Sequence, residues 1–173
     1  PDDFAATLGT LSSEVDALAA TAVNHAAVTK VVERLDGAGV PVFAMLTDFA
    51  QGVRRGYVGL DNHKVGRGVA KMLALASRRP GKLAMFLGGH RFHGHEMREI
   101  GFRSMLRDLP GKFTLLDPLV NLEARLLTQE ATVDLLARRG DLRGIYIAGG
   151  GMEGAIAALR AERNPGDVPL IVN

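Results

Sequence analysis

Two stretches of this chain, Leu83-Ala84-Met85-Phe86-Leu87 and Ile145-Tyr146-Ile147-Ala148, are apolar at every position. A strand that faces water on one side alternates apolar and polar residues, so an unbroken apolar run reads as a strand covered on both faces. Amphipathic segments of helical length separate these runs from their neighbours. The alternation predicts strands over 15–23, 40–46, 57–60, 82–87, 113–116, 142–148 and 168–172. It predicts helices over 26–35, 62–77, 94–109, 122–139 and 152–161. In the first helix Val28, Val31, Val32 and Leu35 recur at helical spacing, Asn24 is placed to cap it, and Gly37 and Gly39 stop it. Strands of this kind joined by helices form a parallel sheet with helices on both faces, an α/β architecture. The best internal boundary is Arg78-Arg79-Pro80-Gly81, where Pro and Gly break the helical pattern.

Composition narrows the function classes. No apolar run approaches the ~18 residues of a membrane span, so no membrane partner is expected. Residues 1–18 carry acids and no basic leader. The chain has no cysteine, which removes disulfides, thiolate metal sites and cysteine nucleophiles and fits a cytosolic protein. Its 21 basic and 19 acidic residues nearly balance, and the basic ones are scattered without interleaved aromatics, so no surface here reads as one for nucleic acid.

Four features carry candidate chemistry. Gly149-Gly150-Gly151-Met152-Glu153-Gly154 follows a strand and opens a helix, as a dinucleotide fingerprint does. The next strand, however, ends in Asn173 where a ribose-binding acid would stand. A plain tight turn, or a loop that admits a neutral ligand to the backbone, is the other reading. Asp61 closes a strand at the mouth of the sheet, where such folds bind ligands. It is equally a helix N-cap, with Lys64 in the first turn. The loop from Gly88 to Arg98 holds His90, Phe92, His93, His95 and Glu96. It is open to metal binding, although the spacing lacks the helical pair of zinc sites, or to ligand contact, with Phe92 among the ligand-facing candidates. Arg98, one turn into the following helix, can fork two hydrogen bonds onto hydroxyls or a carboxylate, or else pair with Glu99 or Asp108. Asp48, followed by Phe49, offers a carboxylate and a flat ring suited to a sugar, or else a solvated loop acid. No serine elbow, spaced acid pair or phosphate loop of the G-x-x-x-x-G-K type is present, so neither an enzyme nor a cofactor is expected.

Taken together, these segments resemble one family. Leu35-Asp36-Gly37-Ala38-Gly39-Val40-Pro41-Val42, Val58-Gly59-Leu60-Asp61-Asn62 with Gly66-Arg67, Lys82 to Gly89, Arg98-Glu99-Ile100-Gly101-Phe102 and Asp141 to Gly151 follow, in order, stretches of the lactose-repressor (LacI) type of bacterial transcription regulator. The resemblance runs from about Val15 to the end. It implies the periplasmic-binding-protein-like type I fold, two Rossmann-like lobes holding a small carbohydrate in their cleft. It further implies that residues 1–79 are the later part of the N-terminal lobe and residues 80–173 most of the C-terminal lobe. A cytoplasmic homodimer with an operator-DNA headpiece upstream is implied as well, and so is a last ligand-contacting loop beyond Asn173. Carried over, Asp61 and Arg98 match effector-binding positions, Asp48 falls near a sugar-contacting one, and Gly149 or Gly150 stands where the family usually has a ligand-contacting asparagine. A periplasmic sugar-binding component of an ABC transporter shares the fold and is the alternative; an NAD(P)-binding enzyme is a third reading.

Overall fold

The computed structural model describes residues 1–11, 14–77, 79–89, 91–109, 111–162 and 170–173. The chain divides into two compact units, Pro1–Asp61 with Arg91–Gly94 and Asn62–His90 with His95–Asn173.

The first unit runs α1 (Asp2–Leu11), β1 (Leu18–Ala20), α2 (Ala26–Gly37), β2 (Val42–Met45) and β3 (Gly56–Val58). Its three strands pair in parallel in the order β1-β2-β3. Val28, Val32 and Leu35 of α2, spaced to share one helical face, pack with Leu8 of α1 and with Val42 and Ala44 of β2. Only the middle of the expected strand 15–23 is a strand. Helix α1 lies ahead of every segment the sequence pattern marked. The α2 cap is His25, whose Nδ1 accepts from the Ala27 amide at 3.2 Å. Asn24, expected in that role, instead donates its amide to the Arg91 carbonyl at 3.3 Å.

The second unit runs α3 (Asn62–Ala76), β4 (Gly81–Leu87), α4 (His93–Arg107, of which residues 93 and 94 count with the first unit), β5 (Phe113–Leu115), β6 (Leu119–Val120), α5 (Arg125–Arg138), β7 (Leu142–Ile147), α6 (Met152–Glu162) and β8 (Leu170–Val172). All its strand pairs are parallel, in the order β5-β4-β7-β8, with β6 also on β4. β5 meets the start of β4 and β6 its end, and Pro118, which has no amide hydrogen to give a ladder, lies between them. The two-faced burial read from the sequence is present residue by residue. Leu83, Met85 and Leu87 pack with Val69, Ala70 and Leu73 of α3 and Phe102 of α4. The alternate residues Ala84 and Phe86 pack with Leu136 of α5 and Ala155 and Leu159 of α6. Parallel strands sandwiched between helices are therefore the architecture, as expected. No helix among the described residues is long and apolar enough to cross a membrane.

The boundary between the units falls after Asp61, not at Arg78-Gly81. The reason is α3, whose apolar face is spent on the sheet that follows it. Of the expected elements and boundaries, Arg78 and the first two residues of strand 168–172 lie outside the described residues.

Helices α3 and α4 approach until two glycines become necessary. A Cβ on Gly66 would collide with the Arg98 carbonyl, and one on Gly101 would collide with the His63 carbonyl. Arg67 ties the same pair, donating to Ser104 Oγ at 2.8 Å and to Asp108 Oδ2 at 2.8 Å. Gly101→Ala should force the helices apart and destabilise the protein by about 1–3 kcal/mol, the usual range for overpacking. Gly68→Ala, in the same helix with nothing within 4 Å of its Cβ position, should be neutral or stabilising by up to ~1 kcal/mol. Chemical denaturation of the two variants checks the contrast.

Candidate functional site

In each unit the polar side chains gather at the carboxyl ends of the parallel strands, where open α/β sheets present loops to ligands.

In the first unit the loop after β2 carries Asp48. Its carboxylate accepts from Arg54 through both Nε and Nη2, the latter at 2.8 Å, and from Gln51 Nε2 at 2.8 Å. Burial raises the Asp48 carboxyl, but the hydrogen bonds from Arg54 and Gln51 and the guanidinium charge outweigh it and hold the group below its ordinary range. Arg54 is in turn raised by its hydrogen bond to Asp48 and sits over the Tyr57 ring, 6.0 Å from its centroid. Asp48 is thus a paired acid and not a solvated one. Phe49, expected beside it as a flat platform for a sugar, is fully buried in the core of the unit. The loop turns through left-handed backbone at Leu46 (φ 63°) and Ala50 (φ 49°), and Phe49 between them lies in the core. Asp61 is exposed at the end of this unit, and Phe92 is half-buried in the short segment 91–94.

In the second unit Arg98 is the centre of the cluster. Its Nε donates to Asn62 Oδ1 at 2.8 Å and its Nη1 to the Ala148 carbonyl at 2.8 Å. Both acceptors are neutral. The ion pairs expected as alternatives belong to other residues, since Glu99 pairs with Arg103 and Asp108 with Arg67. The crossing at Gly66 and Gly101 sets the Arg98 to Asn62 distance, because each glycine lies within four residues of one partner. Beneath them the buried Tyr146 stacks on Phe102 with centroids 5.2 Å apart. Burial pushes the Tyr146 phenol up to about 12, against the opposing pull of Arg98.

Beside Arg98 lies a group that the sequence pattern did not mark. The buried Asn121 donates through Nδ2 to Thr128 Oγ1 at 2.8 Å and to the Gly150 carbonyl at 2.9 Å, and its Oδ1 accepts the Glu123 amide at 3.0 Å. This anchors a turn in which Leu122 (φ 51°) and Glu123 (φ 59°) are both left-handed, a conformation that costs an L-residue roughly 1–2 kcal/mol. The turn sends Glu123 back over the glycines. Glu123 Oε1 lies 3.6 Å from His95 Nε2 and 3.4 Å from the Gly150 amide. A Cβ on Gly149 would stand 2.6 Å from that oxygen and 2.9 Å from His95 Cε1, and one on Gly88 would stand 2.8 Å from His95 Cε1. The space that glycines leave at 88 and 149 is therefore filled by the chain's own carboxylate and imidazole. A dinucleotide pyrophosphate, the third reading of Gly149–Gly154, would meet a carboxylate there. The four left-handed non-glycine residues among those described, Leu46, Ala50, Leu122 and Glu123, all flank Asp48 or belong to the Glu123 turn. Strain of this kind concentrates where a loop is held for a ligand.

Glu123 escaped the sequence reading because it fell inside an expected helix over 122–139; α5 begins only at Arg125, and no Gly or Asn marks the left-handed pair. Asn62 was visible in the same motif as Asp61, but nothing in the pattern separated their roles. Gly150 is exposed, held through its carbonyl by Asn121. Of the histidines raised for metal binding, His90 lies outside the described residues, and His93 and His95 fall in different compact units. Among the described residues no three His, Cys, Asp or Glu side chains are grouped to hold a metal ion.

Parallel strands under helices on both faces, with polar loops gathered at the strands' carboxyl ends, define an α/β binding domain. The chain belongs to the periplasmic binding protein domain family, whose sequence profile matches residues 8–173. Among solved structures it is similar to a periplasmic solute-binding protein of an ABC transporter from Actinobacillus succinogenes with bound D-allose, at 22% identity and TM-score 0.86, covering 97% of this chain and 62% of that one. It is also similar to GanP, a glucose-galactose binding protein from Geobacillus stearothermophilus, at 19% identity and TM-score 0.85, covering 98% of this chain and 61% of that one. The arabinose-binding protein AraP of the same organism matches at 23% identity and TM-score 0.80, over 96% and 57% of the two chains. The chain thus spans about three fifths of the length of these structures. A search of curated proteins returns no match.

His95 gives the site a pH signature. Burial lowers its pKa below 6.5, with the Arg98 charge acting in the same direction against Glu123. The unfolded chain then binds more protons than the folded one just below pH 6.5. The stability that His95 contributes is therefore present above that pH and lost as pH falls through the folded value. Tm measured from pH 8 to 5 should decline more steeply for the native protein than for His95→Gln, and equal slopes would refute the assignment. Asp48 does not interfere, since its lowered carboxyl acts below its ordinary value of 3.8.

Proposed function

We propose that this chain is the ligand-binding part of a protein that binds a small carbohydrate, of the kind that serves sugar transport. The observation that carries the reading is the Arg98, Asn62 and Glu123 cluster at the carboxyl ends of the second unit's sheet. A guanidinium with further N–H donors and a carboxylate, each near enough to His95 to act on its charge, offer the donors and acceptors that sugar hydroxyls require. Membership of the periplasmic binding protein domain family supports it, as do the fold neighbours, several of which are described as sugar-binding. The same cluster has the parts of a binding site, and the reading is therefore one of binding.

A second reading is favoured by the ordered motifs, Val58 to Asn62 with Gly66-Arg67 and Arg98 to Phe102 above all. Under it the chain is the effector-binding domain of a lactose-repressor-type regulator, a cytoplasmic homodimer whose operator-DNA headpiece lies upstream. Under either reading Asp48, Asp61 and Phe92 within the first unit, and Gly150 within the second, are each proposed as ligand-contact residues of their own unit. The gene sequence upstream of Pro1 separates the two, since one requires an export signal and the other a helix-turn-helix.

Thermal shift of the purified full-length protein against monosaccharides, polyols, sugar phosphates and NAD(P) tests the common core. A sugar at about 100 times its Kd should add about 2.7 kcal/mol of stability, a rise of several degrees in Tm. Arg98→Ala should abolish that rise while leaving a cooperative unfolding transition. A rise with NAD(P) alone, or one that survives Arg98→Ala undiminished, would overturn the assignment.

A further inference from the structure

We infer that Glu123 is a specificity-determining residue of the ligand site, a fixed carboxylate that reads a ligand hydroxyl and turns away ligands carrying a negative charge. The inference rests on the carbohydrate-binding reading and says which carbohydrates it covers.

Three independent constraints hold Glu123 in place. Asn121, itself buried, accepts its amide at 3.0 Å. Its own backbone and that of Leu122 are left-handed. Its side chain lies over Gly88 and Gly149, where any Cβ would displace it or His95. Such a position uses unfavourable backbone at two residues and gives up the side chain at two more. Yet the carboxylate gains little inside the protein. Its contacts are one long hydrogen bond from the Gly150 amide at 3.4 Å and His95 Nε2 at 3.6 Å, and the imidazole is held toward its neutral form by burial. The side chain remains 42% exposed. A carboxylate fixed this firmly and satisfied this poorly retains acceptor capacity directed to what lies outside.

The chemistry of what it accepts follows from its neighbours. Arg98 is bonded to neutral oxygens of Asn62 and Ala148 and keeps further N–H donors. Cation and anion around one imidazole suit a neutral molecule with several hydroxyls, one donating to the acid and another accepting from the guanidinium. A carboxylated or phosphorylated sugar would bring a second anion against Glu123. The turn at Gly149–Gly151, which opens α6 and would otherwise favour an anion, already faces the chain's own carboxylate.

The experiment compares matched neutral and anionic sugars on the full-length protein. Calorimetric titrations of D-glucose, D-galactose, D-allose and L-arabinose are set against D-glucuronate, D-galacturonate and glucose 6-phosphate, for the native protein and for Glu123→Gln. The amide keeps the shape and the contact to Gly150 and removes the charge. The native protein should bind a neutral sugar and none of the acids. Glu123→Gln should weaken the neutral sugar by roughly tenfold or more and raise the affinity for acids relative to it by a similar factor, as expected for a charged hydrogen bond and a removed repulsion. A merely structural role would not move that ratio. Unchanged affinity and unchanged preference in the variant would overturn the inference while leaving the carbohydrate reading intact. Native binding to an acidic sugar as tight as to its neutral counterpart would also overturn it. If the native protein binds none of these sugars, the carbohydrate reading fails and this inference falls with it.

Discussion

The crossing of α3 and α4 is the contact on which the second unit's site depends. Two helices normally pack 8–10 Å apart, with side chains between them. Here Gly66 and Gly101 take each helix against the backbone carbonyls of the other, at Arg98 and at His63. The same two turns that make this contact carry Asn62 and Arg98, so backbone packing and not side-chain reach sets their 2.8 Å hydrogen bond. That explains the form of two sequence motifs, Asp61-Asn62 with Gly66-Arg67 and Arg98 with Gly101-Phe102. In each a polar residue that faces the site is followed, one turn later, by the glycine that fixes it. Arg67 and Phe102, the residues after the two glycines, complete the seam. One bonds Ser104 and Asp108, and the other fills the core against Tyr146.

The loops follow a different principle from the helices. Both polar clusters stand on backbone that L-residues avoid, at Leu46 and Ala50 around Asp48 and at Leu122 and Glu123. The compensation is local and visible. In the first unit Phe49 and Ala50 are buried in the core. In the second unit Asn121 makes three hydrogen bonds from a buried position. Apolar burial holds one loop and a saturated polar anchor holds the other. Each leaves a carboxylate at the strand end, but only one of the two is already neutralised by a cation, Asp48 by Arg54.

This contrast also explains which parts were legible in the sequence. The strands 82–87 and 142–148 and the helix 62–77 came within a residue or so of β4, β7 and α3, because burial on two faces and burial on one helical face leave periodic traces. Arg98 stands out in the sequence because it lies one turn into a helix that follows a strand and heads the motif Arg98 with Gly101-Phe102, although an ion pair with Glu99 or Asp108 explained it as well. Apart from α1, whose Phe4 and Leu8 do stand at helical spacing, the misses are places where no periodicity exists. β6 has two residues interrupted from β5, and β1 has three. Phe49 read as a ligand platform because its neighbours in sequence are loop residues, whereas its neighbours in space are core. Glu123 was assigned to a helix because a left-handed glutamate carries no signature in its residue type.

The run Gly149-Gly150-Gly151 shows why a motif needs its surroundings before it has a meaning. As a string it fits a phosphate-binding turn, and as a family variant it reads as a ligand-contacting side chain lost. In space the run has a further account. Gly151 (φ 99°) leaves room for Thr128 and Asn121, and Gly149 with Gly88 leaves room for His95 and Glu123. The glycines are small because two other elements bring polar side chains into the volume a Cβ would occupy. The polar groups of this turn are therefore encoded some 25 to 55 residues upstream, in the loop after β6 and the first turn of α4. A side chain placed at 149 would have to displace Glu123, His95 or both, so the identities at 88, 95, 123 and 149 are sterically coupled.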